Sequence, residues 1–331
     1  MQTDCLIVGA GPAGLTAAVY LARFHRSVTV LDGGESRAAR IPLSHNIPGM
    51  AEGLGGPELL DRHLEQAAIY GVKPLRATVC SIVPAMGGGF VAVVDDGSGD
   101  DVRIAARTVL VATGVRDREP ALPDVEGAIL RGLVRHCPVC DAFEVTGQNI
   151  AVLGREAAAI GEAIFMRTYS RSVTLLLLEG ADDLRAEDRQ RIAQHDIVLV
   201  EEPITAVLID GERIAALTTG TATEHRFDTL YSALGADARS EIALSLGADH
   251  EKTCNAIIVD EHQRTSVPGL WAAGDVVSSL NQVAVAWGQA AIAATDIHND
   301  LRERDRMEAV GGSSRRLSPT SRLALRDGTN G

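Results

Sequence analysis

The feature that most limits what this chain can fold into lies in its first thirty-two residues. Residues 4–8, Asp-Cys-Leu-Ile-Val, form an apolar run of strand length that ends on Gly9-Ala-Gly11-Pro12-Ala13-Gly14. Leu15–Phe24 then carries apolar residues on helical spacing, and Val28-Thr-Val-Leu makes a second strand ending at Asp32, 18 residues after the last glycine. A Gly-x-Gly-x-x-Gly run alone is weak, because glycine turns are common. Between a strand and a helix, with an acid at this reach, it predicts a dinucleotide site. Gly9 permits the tight turn, Gly11 lets backbone approach a pyrophosphate, and Gly14 allows the helix to pack closely on the strand. The diphosphate would sit at the helix N-terminus, where free N–H groups and the helix dipole favour negative charge. Asp32 would take a ribose hydroxyl pair. The bland alternative is a glycine turn with no ligand.

A second unit of the same kind begins at Ile150-Ala-Val-Leu. Gly154 opens a helix over 157–169, and Val173–Leu178 is the return strand. Between the two units, 58–70 reads as an amphipathic helix, and 90–94 and 102–111 as meander strands joined by Asp95-Asp96-Gly97-Ser98-Gly99. Residues 197–234 read as a run of short strands. Strands are then expected near 256–259 and 270–273, followed by Gly274-Asp275 and a helix from 282 to 300. The length, 331 residues, fits about two domains. The economical architecture is α/β: two Rossmann-like nucleotide-binding domains, the second inserted into the first. The expected divisions are 1–114, 115–243 and 244–301, with 302–331 a mobile Arg/Ser-rich tail whose segment 317–325 docks.

Charge and cysteine content remove several function classes. Asp plus Glu is 44 against 31 Lys plus Arg, a formal charge of −13, and the tail from 302 holds seven of the arginines. An acidic body argues against a nucleic-acid groove or a polybasic membrane surface. No run approaches the length of a spanning helix, and the start lacks the positive region of a signal peptide, so the expected compartment is the cytoplasm. Five cysteines do not make a disulfide scaffold in a chain this long. Cys5, Cys80 and Cys254 are isolated, whereas Cys137 and Cys140 form a Cys-x-x-Cys pair, which in a cytosolic protein points to redox or metal chemistry. A metal would draw on His136, Cys137, Cys140 and Asp141. A structural zinc site wants a second cysteine pair, so no metal is expected.

Further motifs suggest which dinucleotide binds first. Thr108–Ala112 runs into Thr113-Gly114, and Pro268-Gly-Leu-Trp-Ala-Ala-Gly274-Asp275 precedes the last long helix. With the N-terminal turn, these resemble the two-dinucleotide-domain flavoprotein reductases that bind FAD, over almost the whole chain from about residue 3 to 300. The resemblance implies FAD held by the first glycine turn (Pro12 and Ala13 included), by Asp32 with Gly33, and by Thr113 and Gly114. It assigns Gly274 and Asp275 to the ribityl chain and phosphates, and Gln282 and Val283 to a helix start aimed at the flavin ring. Asn46, in His45-Asn-Ile-Pro-Gly, and the backbone of Val79 are further contacts by resemblance. Trp287 reads as a filler between helices.

The segment Arg135-His-Cys137-Pro-Val-Cys140-Asp141 is similar to the redox centre of low-molecular-weight thioredoxin reductases, which carry it between their two nucleotide units. Pro138 suits a first helical turn. The resemblance implies that Cys140 is the flavin-side thiol, Cys137 the interchange thiol and Asp141 the proton donor. It also implies a homodimer and a thioredoxin-type protein or a small disulfide or dithiol as substrate.

The second nucleotide unit departs from that family. In Ala151-Val-Leu-Gly154-Arg-Glu-Ala-Ala-Ala159 only the first glycine is kept, and Glu156 stands where a pyrophosphate needs bare backbone. The next strand ends in Leu177-Leu178-Glu179, where the family places a His-Arg-Arg cluster for the 2′-phosphate; Arg185 is the nearest arginine after it. Each lost charge-assisted bond removes roughly 1.5–3 kcal/mol. A carboxylate about 4 Å from a phosphate charge adds about 4 kcal/mol of repulsion at a surface-like dielectric. Together these turn a micromolar site into one weaker than millimolar. The expected function is an FAD-dependent thiol–disulfide oxidoreductase that does not use NADPH, similar to the deeply rooted cyanobacterial-type thioredoxin reductases. A non-nucleotide donor such as ferredoxin is then a candidate, although the acidic body disfavours an acidic partner unless a local basic patch exists, for which the Arg-rich tail is the one visible candidate. Three alternatives stay open: an ordinary NAD(P)H-dependent thioredoxin reductase, an oxygen-dependent oxidase of small dithiols, and a non-catalytic redox sensor.

Overall fold

The computed structural model describes residues 2–99, 102–218, 223–277 and 280–315, without the side chains of 156, 157, 210 and 310–315. In chain order its elements begin with β1 (Gln2–Val8), α1 (Pro12–Arg23), β2 (Val28–Asp32), α2 (Gly56–Ile69), β3 (Leu75–Arg76), β4 (Thr78–Pro84), β5 (Phe90–Asp95) and β6 (Val102–Val111). β7 (Val115–Asp117), α3 (Val125–Leu130), β8 (Val134–Arg135), α4 (Pro138–Asp141), β9 (Asn149–Gly154), α5 (Glu156–Met166), β10 (Ser172–Leu177) and α6 (Ala186–Gln194) follow. The chain continues through β11 (Val198–Val200), β12 (Ile204–Asp210), β13 (Arg213–Thr218), β14 (Glu224–Phe227), β15 (Thr229–Ala233) and β16 (Ala236–Ala238). It closes with α7 (Glu241–Ser245), β17 (Leu270–Ala272) and α8 (Val283–Arg315).

Two sheets carry the architecture, the first mixed and the second all parallel. The first has the order β3-β2-β1-β6-β5-β4, with β17 also on β6. The long strand β6 makes this possible. Its outer edge is divided, Val102–Ala106 pairing antiparallel with β5 and Val109–Val111 parallel with β17. Partners as far apart in sequence as Val109 and Leu270 therefore join the carboxyl end of the same sheet, and that end is where open α/β sheets bind ligands. The second sheet is β11-β10-β9-β15-β8, with β12-β13-β14 a separate antiparallel meander. The chain leaves the first sheet through β7 and returns through β16, and these two strands pair with each other.

The core is built from small and branched side chains. On one face of the first sheet, α1 buries Ala13, Leu15, Ala17, Ala18 and Leu21 against Ala286, Ala290, Ala293, Ala294 and Ile297 of α8. Alanines on both helices let the backbones approach closely. The opposite face packs Leu6, Val8, Phe90, Ala92, Val109 and Ile257. Among the described residues no helix is long and apolar enough to cross a membrane.

Three local expectations need correction. Residues 256–259 form no strand; Ile257 makes isolated bridges to His250 and Val277. α8 does not end at 300 but runs to Arg315, and Asp305 is tied to Arg26 and Arg107 at 2.8 and 2.6 Å, so the tail does not begin at 302. The docking segment expected at 317–325 lies outside the described residues. The strand β4 and the polar helix α6 had no sequence expectation. α6 buries little beyond Ile192 and Asp188, and Asp188 there bonds Arg185 and Arg191 instead of water.

Candidate active site

The carboxyl ends of β1, β6 and β17 bring three separate sequence motifs into contact. Gly9 has φ +108°, and a β-carbon there would lie 2.3 Å from the Ala112 carbonyl oxygen. On Gly274, a β-carbon would lie 2.8 Å from Cβ of Ala13. Only bare backbone allows the glycine turn, Thr113-Gly114 and Gly274-Asp275 to close on one another. They line a cavity of about 580 Å³ together with Asp32, Gly33, Asn46, Val79, Gln282 and Val283. Pro12 and Ala13 belong to the same wall, and Gly14 sits behind it beneath α1. Every residue expected at the flavin site is thus at or beside one trough, and Cys137, Cys140 and Asp141 close its far end.

The trough fits a dinucleotide. Gly11 faces it with nothing nearer its missing β-carbon than Ser36 Oγ at 3.3 Å, leaving the close approach a pyrophosphate needs. Asp32 Oδ1 accepts from the Ala10 amide at 3.4 Å, which places the carboxylate at the mouth of the turn. A local bulge between Val79 and Ser81 interrupts the β4 ladder at the cavity wall, freeing backbone beside Val79. Arg37 bridges Asp117, with contacts of 2.7 and 2.9 Å, and Asp275, at 3.2 Å. Burial pushes the Asp275 carboxyl above its ordinary range, and the Arg37 charge opposes that shift. No sequence signal marked Arg37, because its partners are 80 and 238 residues away.

Cys137 and Cys140 form a disulfide at the start of α4. The Gln282 amide, just before α8, donates to both sulfurs, at 3.3 Å to Cys137 Sγ and 3.2 Å to Cys140 Sγ. Asn46 Nδ2 donates to Gln282 Oε1 at 2.7 Å and to the Val139 carbonyl at 3.3 Å, while Ser44 donates to Asn46 Oδ1 at 2.8 Å. A backbone carbonyl only accepts, so the Asn46 NH₂ group must face Val139, and the Gln282 NH₂ group is thereby turned to the disulfide.

At the C-terminal end of α4, Asp141 accepts from Arg135 Nη1 at 2.6 Å and from the Tyr231 hydroxyl at 2.8 Å. Burial pushes the Asp141 carboxyl up, against the opposing pull of Arg135 and Tyr231. His136 is engaged instead by Glu119, at 2.9 Å. The four side chains of the metal alternative are therefore committed to a disulfide, to Glu119, and to Arg135 with Tyr231. Trp287 donates to His63 Nε2 at 2.8 Å and packs on the Ile47, Leu54 and Leu59 cluster, so it fills the gap between α8 and α2.

At the second unit, Gly154 serves packing. A β-carbon there would lie 2.7 Å from both Cβ of Ala159 and the Ala233 carbonyl oxygen. Arg155, which follows it, pairs with Glu179 beyond the end of β10. Arg185 is taken by Asp188 at 2.8 Å. The side chain of Glu156 lies outside the described residues.

Comparison with known proteins agrees with this arrangement. A protein-family model described as pyridine nucleotide-disulphide oxidoreductase matches residues 3–290. The thioredoxin reductase of Mycolicibacterium smegmatis is 32% identical over 314 residues, covering 91% of this chain and 97% of the relative. That of Bacillus subtilis is 28% identical over 312 residues, covering 91% and 95%. The crystal structure of HlmI superposes with a TM-score of 0.86 at 26% identity, over 96% of this chain and 98% of that one. Thioredoxin reductase from Streptococcus pyogenes gives 0.82 at 27% identity, over 91% and 99%. The chain belongs to the pyridine nucleotide-disulphide oxidoreductases, in the low-molecular-weight thioredoxin reductase family of FAD-binding disulfide oxidoreductases.

Proposed function

We propose that this chain moves electrons between FAD, the Cys137–Cys140 pair and a thioredoxin-type or small disulfide, and that NADPH is not its donor. The observation that carries the reading is the disulfide at the end of the flavin trough, with the Gln282 amide donating to both sulfurs. Bound in the trough, FAD supplies a two-electron couple. The chain's own residues hold it and manage the thiols. Gly9, Gly11, Pro12, Ala13 and Gly14 shape the pyrophosphate approach, and Asp32 with Gly33 takes the ribose. Val79 stands with Asp32 and Gly33 at the start of β4, Thr113, Gly114, Gly274 and Asp275 line the middle, and Asn46 and Val283 flank the ring end.

When the disulfide opens, Gln282 donates a hydrogen bond to whichever sulfur carries negative charge. Asn46 and Ser44 keep it aimed there. Cys140 is the flavin-side thiol and Cys137 the one that exchanges with substrate. Asp141, raised by burial, holds a proton for the pair. Exchange is fastest when the thiol and its surroundings are poised near ambient pH.

Against a nicotinamide donor stand the single glycine of the second turn, Glu156, and the Arg155–Glu179 ion pair at the end of β10. An anionic cofactor entering there would have to break that pair and approach the Glu179 carboxylate. A non-nucleotide donor such as ferredoxin, a homodimer, and a division of the chain near 114 and 243 belong to the same reading.

The two cysteines are expected to behave differently. Cys137→Ser leaves Cys140 as a thiolate beside oxidised flavin, giving a long-wavelength absorption band. Cys140→Ser gives no band and traps a mixed disulfide with a thioredoxin through Cys137. Identical spectra and identical trapping in the two variants would overturn the order.

A further inference from the structure

The disulfide has a second ionisable assembly beside it. Arg135 ends β8 and His136 follows it in a bend, and they serve different partners: Arg135 reaches Asp141, and His136 reaches Glu119. The His136 side chain is only 11% exposed, with Nε2 2.9 Å from Glu119 Oε2. A carboxylate only accepts, so Nε2 carries the hydrogen, and in the neutral ring that leaves the lone pair on Nδ1. Glu119 is itself fixed, since Arg40 Nη1 lies 2.7 Å from its other oxygen while Arg40 Nε holds Glu126 at 3.1 Å. Nδ1 has no hydrogen-bond partner among the described residues and is not one of the sealed, unpartnered atoms. His136, Arg40 and Cys137 line the same cavity. This is a base held in one tautomer by a carboxylate, next in the chain to a sulfur that must exchange, and it matches the base-and-orienter half of a nucleophilic triad.

We propose that His136, oriented by Glu119, is the proton acceptor for the thiol that exchanges at Cys137. The inference rests on the reading of Cys137 as the interchange thiol. An incoming R–SH gives its proton to His136 Nδ1, and its sulfur attacks Cys137 Sγ. The R–S–Cys137 bond forms, the Cys137–Cys140 bond breaks, and the electron pair leaves on Cys140 Sγ. In the reverse direction the imidazolium returns the proton to the departing thiolate. The two cysteines then have separate proton partners, Asp141 at the end of α4 and His136 on the Glu119 side. Glu119 and Arg40 are positioning residues.

The test separates proton removal from structure by the choice of thiol. Oxidised, flavin-loaded protein is mixed without oxygen with dithiothreitol, protonated at neutral pH, or with 2-nitro-5-thiobenzoate, already a thiolate. Opening of the disulfide is followed by quenching with an alkylating reagent. His136→Gln is expected to slow the dithiothreitol reaction by about 100-fold, the lower range of general-base effects, and to leave the aryl thiolate within about twofold of wild type. Glu119→Gln gives the same selective loss in smaller measure, and carries the test if the first variant does not hold flavin. Unchanged rates with dithiothreitol, or equal slowing with both thiols, would overturn the role of His136. A wild-type disulfide opened by neither thiol would overturn the reading of the pair itself, and this inference with it.

Discussion

A β-carbon on Gly14 would lie 1.9 Å from the Gly9 carbonyl oxygen, whereas one on Gly11 meets only the flexible Ser36 hydroxyl. The two glycines of one motif therefore fail differently. Gly14→Ala forces α1 away from β1 and is expected to cost roughly 1–3 kcal/mol, lowering the unfolding temperature. Gly11→Glu keeps its fold by circular dichroism but purifies with little flavin, because a carboxylate stands on the pyrophosphate path. Full flavin retention in Gly11→Glu would contradict the assignment of the turn. Glu162 on α5 gives a second prediction. Burial, with a smaller contribution from the Asp141 charge, pushes its carboxyl up to about 7, and Oε1 is buried without a partner. The folded state holds this proton more tightly than the unfolded chain, so its stabilising contribution is complete below the ordinary value and lost as pH rises through about 7. Glu162→Gln should gain thermal stability over wild type at pH 8 and not at pH 5; an equal difference at both would refute the burial argument. The glycines, Asp32 and the cysteine pair were legible because each is a local pattern with a local mechanism. Arg37, Glu119 and Arg155 were not, since each acquires meaning from a partner that only the fold supplies.

Elements with one apolar period were also legible, and those whose stability comes from distant pairing were not. β1, α1, β6 and β10 lie close to where alternation and helical spacing put them. β7 and β16 are three residues each and exist because they pair with one another. The end of α8 was misplaced because Arg302–Glu308 has no apolar face, and charge density there reads as solvated coil. The structure shows why it stays helical. Asp305 reaches Arg26 on the chain just after α1 and Arg107 on β6, and Arg304 pairs with Asp300 one turn earlier at 2.7 Å. A chain ended after Leu301 should lose roughly 1–3 kcal/mol of stability, through the hydrogen bonds that Arg26 and Arg107 give up. Asp305→Ala should reproduce most of that loss in a denaturation curve. If both proteins unfold like the full chain, the charged end of α8 contributes nothing to the fold.

At the scale of the whole molecule, two strand–turn–helix–strand units of the same type have unequal sites. The first keeps all three glycines, an acid at the strand end and an open trough. The second keeps the strand–helix frame and one glycine, with Glu179 paired to Arg155 beyond the strand end. The frame survives because it carries a core of its own, from Ile150 and Val152 through Ile160 and Leu175 to Tyr231, and because it presents the disulfide to the trough. Restoring charge and approach together, by Glu156→Gly with Leu178→Arg and Glu179→Arg, should raise NADPH affinity by removing repulsion and adding phosphate partners. The most direct test uses the unmodified protein. Under anaerobic conditions, stoichiometric NADPH or NADH is added and the flavin spectrum is followed, then a low-potential chemical or protein donor is added to the same cuvette. The flavin is expected to stay oxidised with either nucleotide and to bleach with the second donor, whereas rapid bleaching by micromolar NADPH would contradict the account and make this an ordinary pyridine-nucleotide thioredoxin reductase.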